Sequence, residues 1–380
     1  TSGSVAAMQS TLKGPSPDLA GWTDERNGAM VRVVVREMKS AAPLGTAAPG
    51  EAVQVALGAC VEELFGAGTK LARASLLGGG ASMEAWAVDA ETPRGPVALL
   101  VRRAAGGRIY RDALSLAQEF RVLEAAWEAG VRVPRPYRHF PDVAGREAFA
   151  MERLPGETVG RRIVQRSELE AARAALPGQM AEQLARIHGL DAARLDFLPG
   201  ARDEEPLRRS LDVLEAQLDE VGEPHPAIEL ALLRLRRDLP RGGPRRVCHG
   251  DFRLGNLMVC AGGLTGVLDW EFAHVGDPRE DLAWPTVRAW RFGREQLRLG
   301  GIAQPGVFLE RYGQLTGLRV APEELRVFEL LGNLRWAIGA LTQARRHLSS
   351  EERSVELAVL GRLAAEVEHE LLSLLHEGGA

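Results

Sequence analysis

The period of the apolar positions changes twice along the chain. Over residues 51–65 they recur at helical spacing, with Val53, Leu57, Val61 and Leu64 on one stripe, which predicts a first helix. Residues 71–77, 83–88 and 97–101 are short apolar-rich runs instead. They are joined at Gly78-Gly79-Gly80 and at Thr92-Pro93-Arg94-Gly95, the pattern of an antiparallel meander. A helix over 114–129, closed by Gly130, and strands over 136–140 and 148–151 complete a small α+β lobe. After Leu154-Pro155-Gly156 the pattern turns helical, at 168–175, 178–188, 206–221 and 226–237. Strands return at 247–270, and helix is expected again from Pro285 to Leu375. The expected fold class is therefore α+β and bilobal: an N-terminal arm (1–50, broken by a strand at 31–35), a small lobe (51–153) and a helical lobe (154–380) meeting at a cleft.

Composition narrows the class without changing this plan. With 380 residues and 45% hydrophobic content the chain can bury two cores, and a net charge of -4 gives no reason to expect a nucleic-acid partner. No apolar run approaches the length of a membrane span, and the first residues carry no basic segment followed by an apolar stretch. No membrane contact and a cytoplasmic location are expected. Cys60, Cys248 and Cys260 are too few and too scattered for a disulfide framework or a zinc site, and are expected as buried reduced thiols. Of the 47 basic residues only Lys13, Lys39 and Lys70 are lysines, so any cationic catalytic group beyond residue 70 must be an arginine.

The densest chemical signal starts at Val247. His249 to Asn256 reads HGDFRLGN, apolar Leu257-Met258-Val259 and a glycine-rich turn follow, and the next run ends in Leu268-Asp269-Trp270-Glu271. Two carboxylates and an amide thus flank a short hairpin. Phosphoryl transfer needs an acceptor for the proton of the attacking hydroxyl and hard oxygen ligands for Mg, since the transferring group is stabilised mainly by position and opposite charge. Asp251, Asn256 and Asp269 supply that set. The His-x-Asp-x-x-x-x-Asn spacing agrees with a kinase catalytic loop, and Asp269 falls where the next strand delivers a metal ligand.

HGDFRLGN followed by LDWEFAHVGDPREDLAW resembles the aminoglycoside phosphotransferase and choline kinase superfamily, and within it bacterial phosphotransferases related to the kinase domain of acyl-CoA dehydrogenase family members 10 and 11. The resemblance runs from about residue 51 to the end and implies a protein-kinase-like fold using ATP and Mg. It implies Asp251 as catalytic base and Asn256 and Asp269 as the holders of Mg-ATP. Arg253 stands where many protein kinases carry a lysine, either to neutralise charge on the γ-phosphate or to brace the loop. His249 orients the loop through its ring nitrogens, with Asp281 accepting a hydrogen bond from it; Glu271 is either a second metal ligand or a solvated carboxylate. In the small lobe Gly79, Gly80 and Ser82 fall at the first strand turn, which is either a plain hairpin turn or, ahead of two strands and a charged strand end, a place where backbone N–H groups approach phosphates. Arg102 stands for the usual phosphate-contacting lysine with Glu119 as its ionic partner, Arg103 being the alternative, and Met151 lies either in an interlobe hinge against adenine or in the core. His188 is expected as a capping or packed histidine.

For the acceptor, Trp284, Trp290 and Trp336 lie among Arg279, Arg288, Arg291, Arg294, Arg335, Arg345 and Arg346. An aminoglycoside is a polycation and calls for carboxylates, whereas arginine and tryptophan suit a phosphate-bearing or carboxylated substrate. The resemblance implies a hydroxyacyl-CoA thioester. The other readings are a solvated arginine face over core tryptophans, an aminoglycoside phosphotransferase, and a nucleotide-binding pseudokinase. A protein kinase is disfavoured, because the Asp-Phe-Gly and Ala-Pro-Glu landmarks are missing.

Overall fold

The computed structural model describes residues 50–79, 83–105, 113–349 and 354–377. All but Gly50 of the expected arm over 1–50, including its strand at 31–35, and Gly80 and Ser82 of the expected phosphate turn, lie outside the described residues. Helix α1 (Glu51–Phe65) buries Leu57, Cys60 and Val61 against a sheet of β1 (Lys70–Gly79), β2 (Met83–Thr92), β3 (Gly95–Ala104), β4 (Pro136–Phe140) and β5 (Ala148–Glu152). The strand order is β1-β2-β3-β5-β4, every neighbouring pair antiparallel. Helix α2 (Leu116–Glu128) starts at a capping box in which Ser115 and Gln118 satisfy each other's amides, and Ala129 caps its other end.

Side chains of a strand alternate between faces, so the sheet sorts its residues by parity. Val88, Leu99, Val101, Ala148 and Ala150 pack with α1, whereas Leu100, Phe149 and Met151 join α2 and the helical half. Arg102 pairs with Phe149 and Arg103 with Ala148, so the two adjacent arginines face opposite ways.

The larger half contains α3 (Gly160–Gln165), α4 (Glu170–Ile187), α5 (Pro206–Val221), α6 (Pro226–Asp238), α7 (Arg279–Ala283), α8 (Pro305–Thr316), α9 (Pro322–Leu348) and α10 (Val355–Glu377). Between α6 and α7 lie β6 (Arg246–Cys248), the hairpin β7 (Leu257–Cys260) and β8 (Gly263–Val267), and β9 (His274–Gly276), which pairs with β6. One core runs from α2 and β5 through α4 and the hairpin to Phe308 and Tyr312 of α8, and a second joins α5, α6, α9 and α10. Among the described residues no helix is long and apolar enough to cross a membrane. The three cysteines are free, Cys60 and Cys248 buried and Cys260 half-buried.

Two expectations need correction. The helices expected at 168–175 and 178–188 are one helix, α4, that continues through Pro177. An internal proline costs about 3 kcal/mol, but Leu176, Met180, Ala181, Leu184 and Ile187 are all fully buried there and their burial outweighs it. Conversely, residues 287–304 hold one short 3-10 turn, Arg288–Trp290, and otherwise turns rather than α-helix, because Gly293, Gly300 and Gly301 take positive φ and Phe292 sits at φ 51.

The chain enters the larger half at Gly156, whose φ is 144 and where a Cβ would meet the Val259 carbonyl at 2.8 Å. The next residue, Glu157, exchanges both main-chain hydrogen bonds with Val259 of the hairpin. Gly156→Ala should therefore lower stability by about 1–3 kcal/mol, measured as a shift of the urea midpoint with unchanged slope. An unchanged midpoint would mean that this crossing point carries no such constraint.

Candidate active site

Strand β6 delivers the loop His249–Asp251. Gly250 holds φ 81 with its missing Cβ only 2.2 Å from the Phe272 carbonyl oxygen, so no other residue fits without moving that strand end. His249 is fully buried; its Nε2 hydrogen bonds the Leu268 carbonyl (3.1 Å) and its Nδ1 accepts the Asp251 N–H (3.2 Å). Burial pushes this imidazole down, against the pull of Asp281, Asp251 and Asp269, which suits the neutral ring such bonding requires. The ring thus ties the loop to the residue preceding Asp269.

Asp281 accepts from His249, but from its main-chain N–H (2.6 Å), with the other oxygen taking the Gly250 N–H (2.9 Å); the expected ring contact goes to Leu268 instead. Its remaining partner is His188 Nε2 (3.2 Å), and His188 Nδ1 hydrogen bonds the Tyr312 hydroxyl (2.7 Å). The Cys248 thiol lies beside this pair, but both ring nitrogens of His188 are already spent, and burial holds the thiol protonated. Burial alone would raise the Asp281 carboxyl; the hydrogen bond and charge of His188, with His249 and His274, outweigh it and bring it to about 2.

Asp251 itself is buried and held from three sides. Its Oδ1 accepts Arg253 Nε (2.9 Å) and Trp284 Nε1 (2.6 Å), and its Oδ2 accepts Asn256 Nδ2 (2.5 Å). The same amide nitrogen bonds the Asp251 carbonyl (2.9 Å), which leaves the Asn256 oxygen as the end available to a cation. Arg253 lies with its guanidinium 4.3 Å over the Trp290 ring.

On the facing strand end Asp269 sits at φ 68, a backbone state a non-glycine residue reaches only at a cost of order 1 kcal/mol. Arg102 donates one guanidinium nitrogen to Asp269 (3.0 Å) and to Glu119 of α2 (2.7 Å). Of the two candidate arginines, Arg102 is therefore the one in the cleft. Arg103 is consumed on the opposite face by Glu84 and the carbonyls of Val143 and Ala144. Burial pushes Glu119 up to about 7 although Arg102 pulls it down, and pushes Glu271 up to about 8 with help from Asp269. Met151 joins Arg102, Glu119, Phe149, Leu268 and Asp269 around a recess between the sheet and the hairpin. Gly79 ends β1 opposite Glu84.

Burial first, and then the charges of Asp269, Glu119 and Asp251 against that of Arg102, keep Glu271 protonated beside this group of carboxylates. A divalent cation with phosphate oxygens is the kind of ligand such an oxygen-rich, negatively biased set fits.

The acceptor-side arginines differ from expectation. Arg291 is buried between Glu329 (3.0 Å) and Glu370 (2.9 Å), Arg298 pairs with Glu329, and Arg288 reaches Glu370 (3.3 Å) and Glu295 (3.5 Å). Arg279 is held by Asp277 and Glu324, and Arg335 by Glu280. Arg288, Arg291 and Arg298 fasten the segment 287–304 to α9 and α10, Arg279 and Arg335 tie α7 to α9, and none of these five is a free cation. The bond from Trp284 to Asp251 was not foreseen; the spacing of Asp281 and Trp284, one helical turn apart, is the signal that could have found it.

A two-lobed α+β fold whose cleft carries a buried Asp-Asn pair and a strand-end aspartate tied across the lobes to an arginine, itself paired with a helix glutamate, defines a kinase-type phosphotransferase. Residues 73–328 match the profile of the phosphotransferase enzyme family, and the chain belongs to that family. It is 28% identical over 199 residues to chicken acyl-CoA dehydrogenase family member 11, covering 51% of this chain and 25% of the relative. With mouse acyl-CoA dehydrogenase family member 10 it shares 31% over 192 residues, covering 49% and 18%. The chain thus spans a quarter or less of the length of these two curated relatives. Among solved structures, a Ralstonia eutropha protein assigned to the aminoglycoside phosphotransferases superposes with a TM-score of 0.67 at 20% identity, covering 85% of this chain and 98% of that one, which shows the kinase-like fold.

Because Asp281 falls from an ordinary 3.8 to about 2 on folding, it contributes about 2 kcal/mol that is fully present above pH 4 and lost as pH falls through 2. The stability gap between the protein and Asp281→Asn should therefore narrow between pH 4 and 2 in urea titrations. A gap independent of pH over that range would contradict this.

Proposed function

We propose that the chain transfers the γ-phosphoryl group of ATP to a hydroxyl of a small molecule. The observation that carries this reading is the Asp251 carboxylate. Three donors fix its two oxygens, and Oδ2, with the single donor Asn256, keeps a lone pair for an incoming hydroxyl. The hydroxyl oxygen bonds to Pγ as the bond from Pγ to the bridging oxygen breaks. ADP leaves with that electron pair, and the hydroxyl proton passes to Asp251. Asn256 and Asp269 would hold Mg, which when bound supplies positive charge to the phosphate oxygens. Arg102, braced by Glu119, is assigned to the α- and β-phosphates, Gly79, Gly80 and Ser82 to the phosphate turn, and Met151 to the adenine edge. Arg253 is assigned to the γ-phosphate.

For the acceptor we infer a hydroxyacyl-CoA. The support is the similarity to acyl-CoA dehydrogenase family members 10 and 11. The arginine content no longer contributes, since Arg288, Arg291 and Arg298 are balanced by Glu295, Glu329 and Glu370. The same balance offers a polycation no carboxylate surplus.

Asp251→Asn should lower turnover by roughly two to four orders of magnitude and leave ATP affinity largely intact. An equal loss of both would remove Asp251 from the role of base. In steady-state ADP release, 3-hydroxybutyryl-CoA should give a higher kcat/KM than kanamycin; a preference for kanamycin would overturn the thioester assignment while leaving the phosphotransferase reading in place.

A further inference from the structure

The short helix α7 and the turn after it send two side chains to one loop. Asp281 takes the His249 and Gly250 amides, and three residues later Trp284 donates its indole N–H to Asp251 Oδ1 at 2.6 Å. Residues three apart share a helix face, so one rigid element sets both the backbone of the loop and the rotation of the carboxylate it carries.

Trp284 is well seated for this. It is buried, its carbonyl takes the Val287 N–H, and it packs under α9 at Gly332, where a Cβ would meet Val287 at 2.7 Å and the Trp284 ring at 3.5 Å. Its ring meets Trp290 at 5.7 Å between centroids, but the Trp290 indole N–H is buried without a partner among the described residues, so only Trp284 reaches the carboxylate.

Oδ1 therefore receives two donors of different kinds. Arg253 is charged, about a quarter exposed and stacked on Trp290, so it can swing toward an incoming phosphate; Trp284 is neutral, enclosed and fixed. We propose that Trp284 is a positioning residue for the base: its indole N–H keeps Oδ1 pinned when Arg253 turns to the phosphate, so that Oδ2 stays aimed at the acceptor hydroxyl. The proposal rests on the assignment of Asp251 as base.

Two readouts test it. By NMR, the Trp284 indole proton, assigned by its loss in Trp284→Phe, should lie downfield of the other tryptophans and move upfield in Asp251→Ala. A resonance indifferent to Asp251 overturns the contact. By kinetics, with 3-hydroxybutyryl-CoA or whichever alcohol releases ADP fastest, Trp284→Phe should lower kcat by about ten-fold or more with the KM for ATP unchanged. Site-specific replacement of Trp284 by 3-benzothienylalanine keeps the bicyclic shape and lacks the N–H, so it should show the same loss without the packing change. Combined with Asp251→Asn, neither replacement should lower the residual rate further, because Trp284 acts through the carboxylate. Undiminished kcat in the benzothienyl protein, or full additivity with Asp251→Asn, overturns the proposal. Should Asp251→Asn itself keep wild-type turnover, the base assignment fails, a distinct result.

Discussion

Asp281 carries a full negative charge where its side chain is 1% exposed, a placement that costs several kcal/mol unless every lone pair finds a donor. The donors it finds are the amides of His249 and Gly250 and the ring of His188, and the loop from His249 to Asp251 is shaped by supplying them. Once those amides are fixed, Gly250 must take its left-handed conformation against Phe272, and the His249 ring is left between the Asp251 N–H and the Leu268 carbonyl. From Leu268 the chain passes to Asp269, then through Arg102 to Glu119 of α2. A continuous series of hydrogen bonds thus leads from one buried carboxylate in the larger half to the helix behind the small sheet.

The pairing of Asp251 with Asn256 was legible in the sequence because it depends on local spacing: one residue more or less between them would separate the amide from the carboxylate it holds. The sheet was legible for the same reason, through its period of two and its glycine and proline turns. Which of Arg102 and Arg103 faces Asp269 depends on the pairing of β3 with β5, a non-local register that the sequence of β3 alone does not contain. Continuity of α4 across Pro177 was likewise hidden, since it depends on how completely the residues around the proline are buried.

The arginines after Asp269 were misread for a related reason. Composition counts their charges but not their partners, and Glu329 and Glu370 lie tens of residues away on α9 and α10. Their pairing turns an apparent anion-binding face into internal fastenings. Burying a guanidinium between two carboxylates is tolerable only when all three are satisfied together, so this network belongs to the architecture that holds Trp284 against Asp251 and Trp290 under Arg253.

The central claim, that the cleft's carboxylates are arranged for a metal-bound nucleotide, is tested most directly by calorimetric titration of a nonhydrolysable ATP analogue with Mg and with a chelator, in the protein and in Asp269→Ala. Affinity should fall about ten-fold or more on chelation in the protein, and should be weak and indifferent to chelator in Asp269→Ala. Binding that ignores both the metal and this substitution would contradict it.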